Sequence, residues 1–191
     1  MVRSGSTRPR GQRSRRLAWG LAAALSLLAP GPLQALELQG QTWFVRPPWK
    51  VDFTNYYWYV MQTGGEYYFT VTLPAEAGVG LGGLVIQQTR GVDTQFPIAG
   101  DRNRAFLGRP RHEGAAIPVQ VQFDQASRRV TVQFPQPPQP GQTVTLALRP
   151  WHNPSQADTY MFSVQALPAG ERPVPASLGF ATMPIYSGIP Y

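Results

Sequence analysis

The chain has no cysteine. That excludes a disulfide framework, a cysteine metal site and a thiol nucleophile. Histidine is scarce: His112 and His152 are the two present. A zinc site needs three or four converging ligands, and neither histidine stands in ligand spacing with Asp101 or Glu113, so no metal and no cofactor is expected. Lys50 is the single lysine. Acids are missing from residues 1–35, which carry Arg3, Arg8, Arg10, Arg13, Arg15 and Arg16. Seventeen basic residues less these six leaves eleven, against ten acids, so the formal charge of +7 falls to +1 beyond residue 35. A near-neutral domain lacks the positive field that a phosphate backbone demands, and nucleic acid is not an expected partner.

The basic N-terminus reads as a secretion leader. A positive segment ends at Arg15-Arg16, an apolar run follows from Leu17 to Ala29, and Ala35 offers a small residue for cleavage. The apolar run of about 13 residues is short for a bilayer of roughly 30 Å. Residues 1–35 are therefore expected to be a signal peptide cut after Ala35, leaving a periplasmic or extracellular protein without a membrane span. An uncleaved N-terminal anchor is the alternative. Ser14-Arg15-Arg16 also fits a twin-arginine signal beside the general secretory route.

The mature chain carries strand patterning and almost no helical periodicity. In Glu66–Leu73, Tyr67, Phe69, Val71 and Leu73 share one face by the two-residue period. Ile117–Phe123, Arg129–Phe134 and Thr143–Leu148 alternate in the same way, and Asp124–Arg128 reads as a hairpin connection. Thr159–Leu167 is apolar enough for a core strand. Weaker candidates are Thr42–Arg46, Tyr56–Met61, Leu84–Gln88 and Ala105–Leu107. Twenty prolines and 19 glycines punctuate these segments. Proline ends strands and stiffens loops, and Pro118 inside a candidate marks an edge strand or a strand start.

Alternation with one dry and one wet face predicts antiparallel sheets. The expected fold is all-β: an antiparallel β-sandwich of roughly seven to nine strands, Ig-like with Greek-key connections, a β-barrel being the alternative. The sandwich is expected over 36–181, with 182–191 as a partly disordered tail.

A resemblance carries further. Phe134-Pro135-Gln136-Pro137-Pro138-Gln139-Pro140-Gly141-Gln142-Thr143-Val144-Thr145-Leu146 forms a Pro-Gly turn that feeds a strand. It continues through Leu148-Arg149-Pro150-Trp151-His152-Asn153-Pro154 to Tyr160–Gly170. With Tyr68–Gly78, Ile86-Gln87-Gln88 and Ala105-Phe106-Leu107-Gly108, this ordered set of blocks resembles the DUF2808 family of exported cyanobacterial proteins across about residues 40–181. The resemblance implies an envelope setting and supplies no activity, because the family's function is unassigned. Val79-Gly80 departs from the acidic residue and proline of the family pattern, and Asp158-Thr159 from its glycine before Tyr160.

No catalytic constellation stands out. A Gly-x-Ser-x-Gly elbow is lacking. The acids are isolated in sequence, with Glu66 and Glu76 the most suggestive of a glycosidase pair, which requires two carboxyls flanking one bond. Asp101-Arg102-Asn103 and Asp52-Phe53-Thr54-Asn55 are thin clusters for calcium and are explained by turn formation. Aromatics are the richer signal. Tyr56-Tyr57-Trp58-Tyr59 places rings on both faces of any strand, and Trp49 and Trp151 each follow proline, as loop residues at strand ends. Exposed rings stack on sugars or grip a protein partner. Arg102, Arg104, Arg109 and Arg111 form a local basic run suited to an anionic polymer or acidic side chains. The expected function is a non-enzymatic binding or structural component of the envelope. Its ligand, a glycan or an envelope protein, is expected to be met by Trp49, Trp151, Arg109 and Arg111. A carbohydrate-binding module, an envelope-polymer hydrolase and an assembly subunit are the alternatives.

Overall fold

The computed structural model describes residues 36–38, 40–95, 98 and 102–188. The expected leader lies outside them, as do residues 189–191 of the expected tail. The strands run β1 Leu36–Leu38, β2 Gln41–Trp43, β3 Val51–Thr54, β4 Tyr67–Thr72, β5 Leu81–Arg90, β6 Arg104–Arg109, β7 His112–Ile117, β8 Gln120–Asp124, β9 Arg129–Gln133, β10 Thr143–Leu148, β11 Asp158–Pro168 and β12 Ala176–Ile185. A 3-10 turn covers Ala75–Ala77, and the described residues contain no α-helix.

Two antiparallel five-stranded sheets face one another, ordered β3-β4-β10-β6-β7 and β12-β11-β5-β9-β8, and β1-β2 is a small separate ribbon. The chain crosses repeatedly between them, β10 entering between β4 and β6 and β5 between β11 and β9, in Ig-like Greek-key manner. The sheets do not close into a barrel. Alternation decides what lies between them. Tyr67, Phe69 and Val71 of β4 and Val144, Leu146 and Leu148 of β10 point inward against Leu84 and Ile86 of β5, Val130 and Val132 of β9, and Phe162 and Val164 of β11. Phe69 meets Phe162 across the layers edge to face, with ring centroids 6.3 Å apart. Burying each such side chain stabilises the fold by about 1.5–3 kcal/mol, which is how a domain without disulfides is held.

The structure corrects several expectations. There are more strands than expected. Ile117–Phe123 is not continuous: Pro118 and Val119 separate β7, the edge of one sheet, from β8, the edge of the other. Proline cannot donate to a ladder, and here it marks the corner at which the chain changes sheets. Tyr56–Met61 is a loop. The Asn55 side chain takes up the amide and carbonyl of Tyr57, at 3.0 and 2.6 Å, so these backbone groups are unavailable to a ladder. β12 continues to Ile185, past the expected domain boundary at Ala181.

Candidate functional site

The four residues expected to bind do not meet in one place. Trp49 lies in the loop before β3, 77% exposed, with Lys50 Nζ 5.0 Å from its ring centroid. Trp151 follows β10 and is 52% exposed, with the Arg102 guanidinium 4.0 Å over its ring. Val51 pairs with Val71 late in β4, whereas Leu148 pairs with Tyr67 at its start. The tryptophans thus stand at opposite ends of the sheet, separated by a strand of about 17 Å. Arg109 is engaged: its side chain crosses the outer face of β10 and β4 to reach Asp52 Oδ2 at 3.0 Å. Arg111, in the β6–β7 turn, stacks over Tyr56 at 4.2 Å.

What the fold does assemble is a strip of arginines and rings on the outer face of the first sheet, running to the end that carries Trp151. Its hub is Glu66, whose side chain is 9% exposed just before β4. Oε1 accepts from Arg149 Nη2 at 2.7 Å and Arg104 Nε at 3.3 Å, and Oε2 from Arg104 Nη2 at 3.0 Å and from the Tyr68 hydroxyl. Arg104 also grips Glu113 with two bonds, at 2.6 and 2.9 Å. The Tyr68 ring meets Tyr56 edge to face at 5.8 Å, and Tyr56 in turn carries Arg111. Arg102 and Arg111, each stacked on a ring, form no ion pair with any described residue. The strip therefore offers guanidinium groups that no described acid neutralises, beside flat apolar surface.

Burial works to raise the Glu66 pKa, but the bonds from Arg104 and Tyr68 outweigh it and hold the carboxyl below its ordinary value. Burial, reinforced by the Glu66 carboxylate, pushes the Tyr68 hydroxyl up to about 12. The Arg104 bond likewise lowers Glu113. Both carboxyls stay ionised at neutral pH, the reverse of what a general acid requires. Glu76 does not join them: it lies beyond the other end of β4, 3.5 Å from Arg46. We expect Glu66→Gln to lower stability by about 1.5 kcal/mol at neutral pH, a charge-assisted bond discounted for half-exposed partners. Because the folded pKa is depressed, this stability is present above the unfolded value of about 4.3 and is lost as pH falls through the folded one. Urea unfolding of both proteins should show the gap closing below about pH 4; a gap independent of pH refutes the charge-based account.

The aromatic loop is pinned from beneath by Asn153, which is fully buried. Its Nδ2 donates to the carbonyls of Tyr57 and Tyr59, both at 2.9 Å, and its Oδ1 accepts the Tyr67 hydroxyl at 2.7 Å. Its backbone N–H donates to Gln62 O at 2.8 Å. Sequence reasoning read Asn55 as a turn former and gave Asn153 no role; the signal for Asn153 was an asparagine beside proline, a place where a side-chain amide satisfies backbone groups that no ladder takes.

Two other regions give weaker chemistry. An open cleft of about 560 Å³ is lined by Asp93, His152 and Ser155 among others. The Ser155 hydroxyl donates to Asp93 Oδ2 at 2.9 Å while His152 Nδ1 lies 2.7 Å from Asn153 O, so serine and histidine are not paired as nucleophile and base. Between the sheets, the cavity beside Tyr67, Gln88 and Phe162 holds about 10 Å³, room for one water. Among the described residues no three His, Asp or Glu come together to hold a metal, and no helix is long and apolar enough to cross a membrane.

Residues 41–185 match the model of DUF2808, a protein family of unknown function. No curated protein matches. Among solved structures, the chain is similar to the collagen-binding domain from a Staphylococcus aureus adhesin, with 11% identity and a TM-score of 0.41 over 70% of this chain and 96% of that one. It is similar to BslA, a bacterial hydrophobin, with 14% identity and a TM-score of 0.42 over 76% and 100%. A third likeness is to self-complemented MyfA, the major subunit of Myf fimbriae from Yersinia enterocolitica, with 10% identity and a TM-score of 0.37 over 72% and 98%.

Proposed function

The chain belongs to the DUF2808 family, whose function is unassigned, and from that premise we propose that it is an exported, non-enzymatic binding domain that holds an acidic glycan of the cell envelope on its arginine and aromatic strip. The observation that carries this reading is the Arg102–Trp151 stack, 4.0 Å apart, with the ring half exposed and the cation unpaired among the described residues. A free ring face takes the apolar face of a sugar. A guanidinium takes a carboxylate or sulfate with two parallel bonds. Stacking holds the guanidinium in place beforehand, which reduces the entropy lost on binding. Arg111 on Tyr56 repeats the arrangement at the other end of the strip.

Export is part of the same proposal. The expected cut after Ala35 leaves β1, Leu36–Leu38, in the mature chain. Mass spectrometry of the protein recovered from the envelope should find Leu36 as the first residue; an intact leader on a cytoplasmic pool refutes it.

Titration calorimetry with polygalacturonate, against neutral dextran, tests the ligand. Trp151→Ala and Arg102→Ala should each weaken polygalacturonate binding about tenfold, and binding should weaken with added salt. Trp49→Ala, at the far end, should bind as the unmodified protein does. Equal affinity for the two polymers removes the acidic-glycan reading, and unchanged binding by the Trp151 and Arg102 variants removes the strip.

A further inference from the structure

Each five-stranded sheet has two edges, and an edge strand is a template for pairing with another chain unless it is guarded. Three of the four edges here are guarded. β3 has four residues, follows Pro47-Pro48 and carries the ion pairs of Asp52 with Lys50 and Arg109. β12 contains Pro184 and a register shift near Gly179, and its end is covered where Val60 N donates to Tyr186 O and Tyr186 N to Trp58 O. β7 pairs with β6 across a bulge between Phe106 and Gly108 and contains Gly114.

β8 has fewer of these devices: Pro118 precedes it by two residues, but it carries no bulge and no ion pair among the described residues. Gln120–Asp124 contains no proline, glycine or lysine, and it pairs with β9 in unbroken register from Gln120↔Gln133 to Asp124↔Arg129. Gln120, Gln122 and Asp124 face solvent, while Val121 and Phe123 face the core and stay only half buried. Ile117 and Val119, just across the Pro118 corner, are half buried too. Four half-buried apolar residues thus lie together along this side of the sandwich.

The strand is also complementary to itself. Set antiparallel about a two-fold axis through Gln122, Val121 of one copy lies opposite Phe123 of the other, and Gln120 opposite Asp124. The apolar residues share one face; on the other, Gln120 lies opposite Asp124, whose carboxylate also accepts from Ala126 N, Ser127 N and the Ser127 hydroxyl of its own turn, and no like charges oppose. We propose that β8 is a self-association edge at which two copies of this chain pair antiparallel about Gln122, joining two five-stranded sheets into one of ten strands. The pairing uses neither the arginine and aromatic strip nor its ligand, so it stands independently of the glycan reading.

The axis makes the test specific, because residue 122 faces its own copy. Sedimentation velocity of the purified protein over a concentration series should show a monomer–dimer equilibrium. Gln122→Lys and Gln122→Glu, both at an exposed position, should each weaken the dimer about fivefold by opposing like charges. An equimolar mixture of the two variants should recover it as a heterodimer, read by native mass spectrometry, with the melting temperatures of both variants unchanged to show that they fold. A wild-type protein that remains monomeric throughout overturns the proposal. So does a dimer that both variants leave intact, or one that mixing does not restore.

Discussion

Asn153→Ala is expected to lower stability by about 3 kcal/mol and, with no contact to ligand, to weaken glycan binding as well. The side chain is fully buried and makes three bonds, to the Tyr57 and Tyr59 carbonyls and from the Tyr67 hydroxyl. A typical hydrogen bond contributes about 1 kcal/mol, and a buried group stripped of its partner costs more. Alanine also leaves a void under the loop. Tyr57 retains the Asn55 amide at 2.6 Å, so the loop is loosened at Tyr59 first. Tyr56 stands on that loop, and its position against Tyr68 and Arg111 follows from it. Urea unfolding gives the stability change as a shift in midpoint at constant slope, and calorimetry with polygalacturonate gives the second effect. A loss under about 1 kcal/mol shows that the amide is replaceable.

Gly83→Ala should be as damaging from the opposite cause. Gly83 lies in β5, the middle strand of its sheet, paired with Gln133 on one side and Leu167 on the other. A Cβ there falls 2.2 Å from the Val132 carbonyl oxygen. The clash is with backbone, so no rotamer relieves it, and the β5–β9 ladder must part. That ladder positions Leu84 and Val132, which are in the core. Overpacking of this kind costs about 3 kcal/mol. Thermal unfolding measures it, and a variant melting within a few degrees of the parent refutes the close approach. Glycine at 83 is thus needed for space rather than for a left-handed backbone.

Legibility in the sequence followed the strength of alternation. Thr143–Leu148 was readable to the residue, since Val144, Leu146 and Leu148 all face one layer. β12 was not, because its inward residues are Leu178, Ala181, Met183 and Ile185. The odd interval at Gly179 breaks the two-residue period, and Pro184 argues against a strand. β7 was invisible for another reason: His112-Glu113-Gly114-Ala115-Ala116 has no apolar face and is held by backbone pairing to β6. The strip was legible in its parts, with the tyrosine run, the arginine run and Glu66 each standing out. Its assembly was not, because pairing Glu66 with Arg104 and Arg149 spans 38 and 83 residues of chain and depends on β10 lying between β4 and β6.

None of the tryptophans at 43, 49, 58 and 151 belongs to the core, whose rings are phenylalanine and tyrosine. Indole emission from the folded domain should therefore already be red-shifted and should change little on unfolding. Near-ultraviolet dichroism of Tyr67 and Tyr160, both fully buried, is the optical signal that follows folding, and indole quenching is left free to report what settles on the surface.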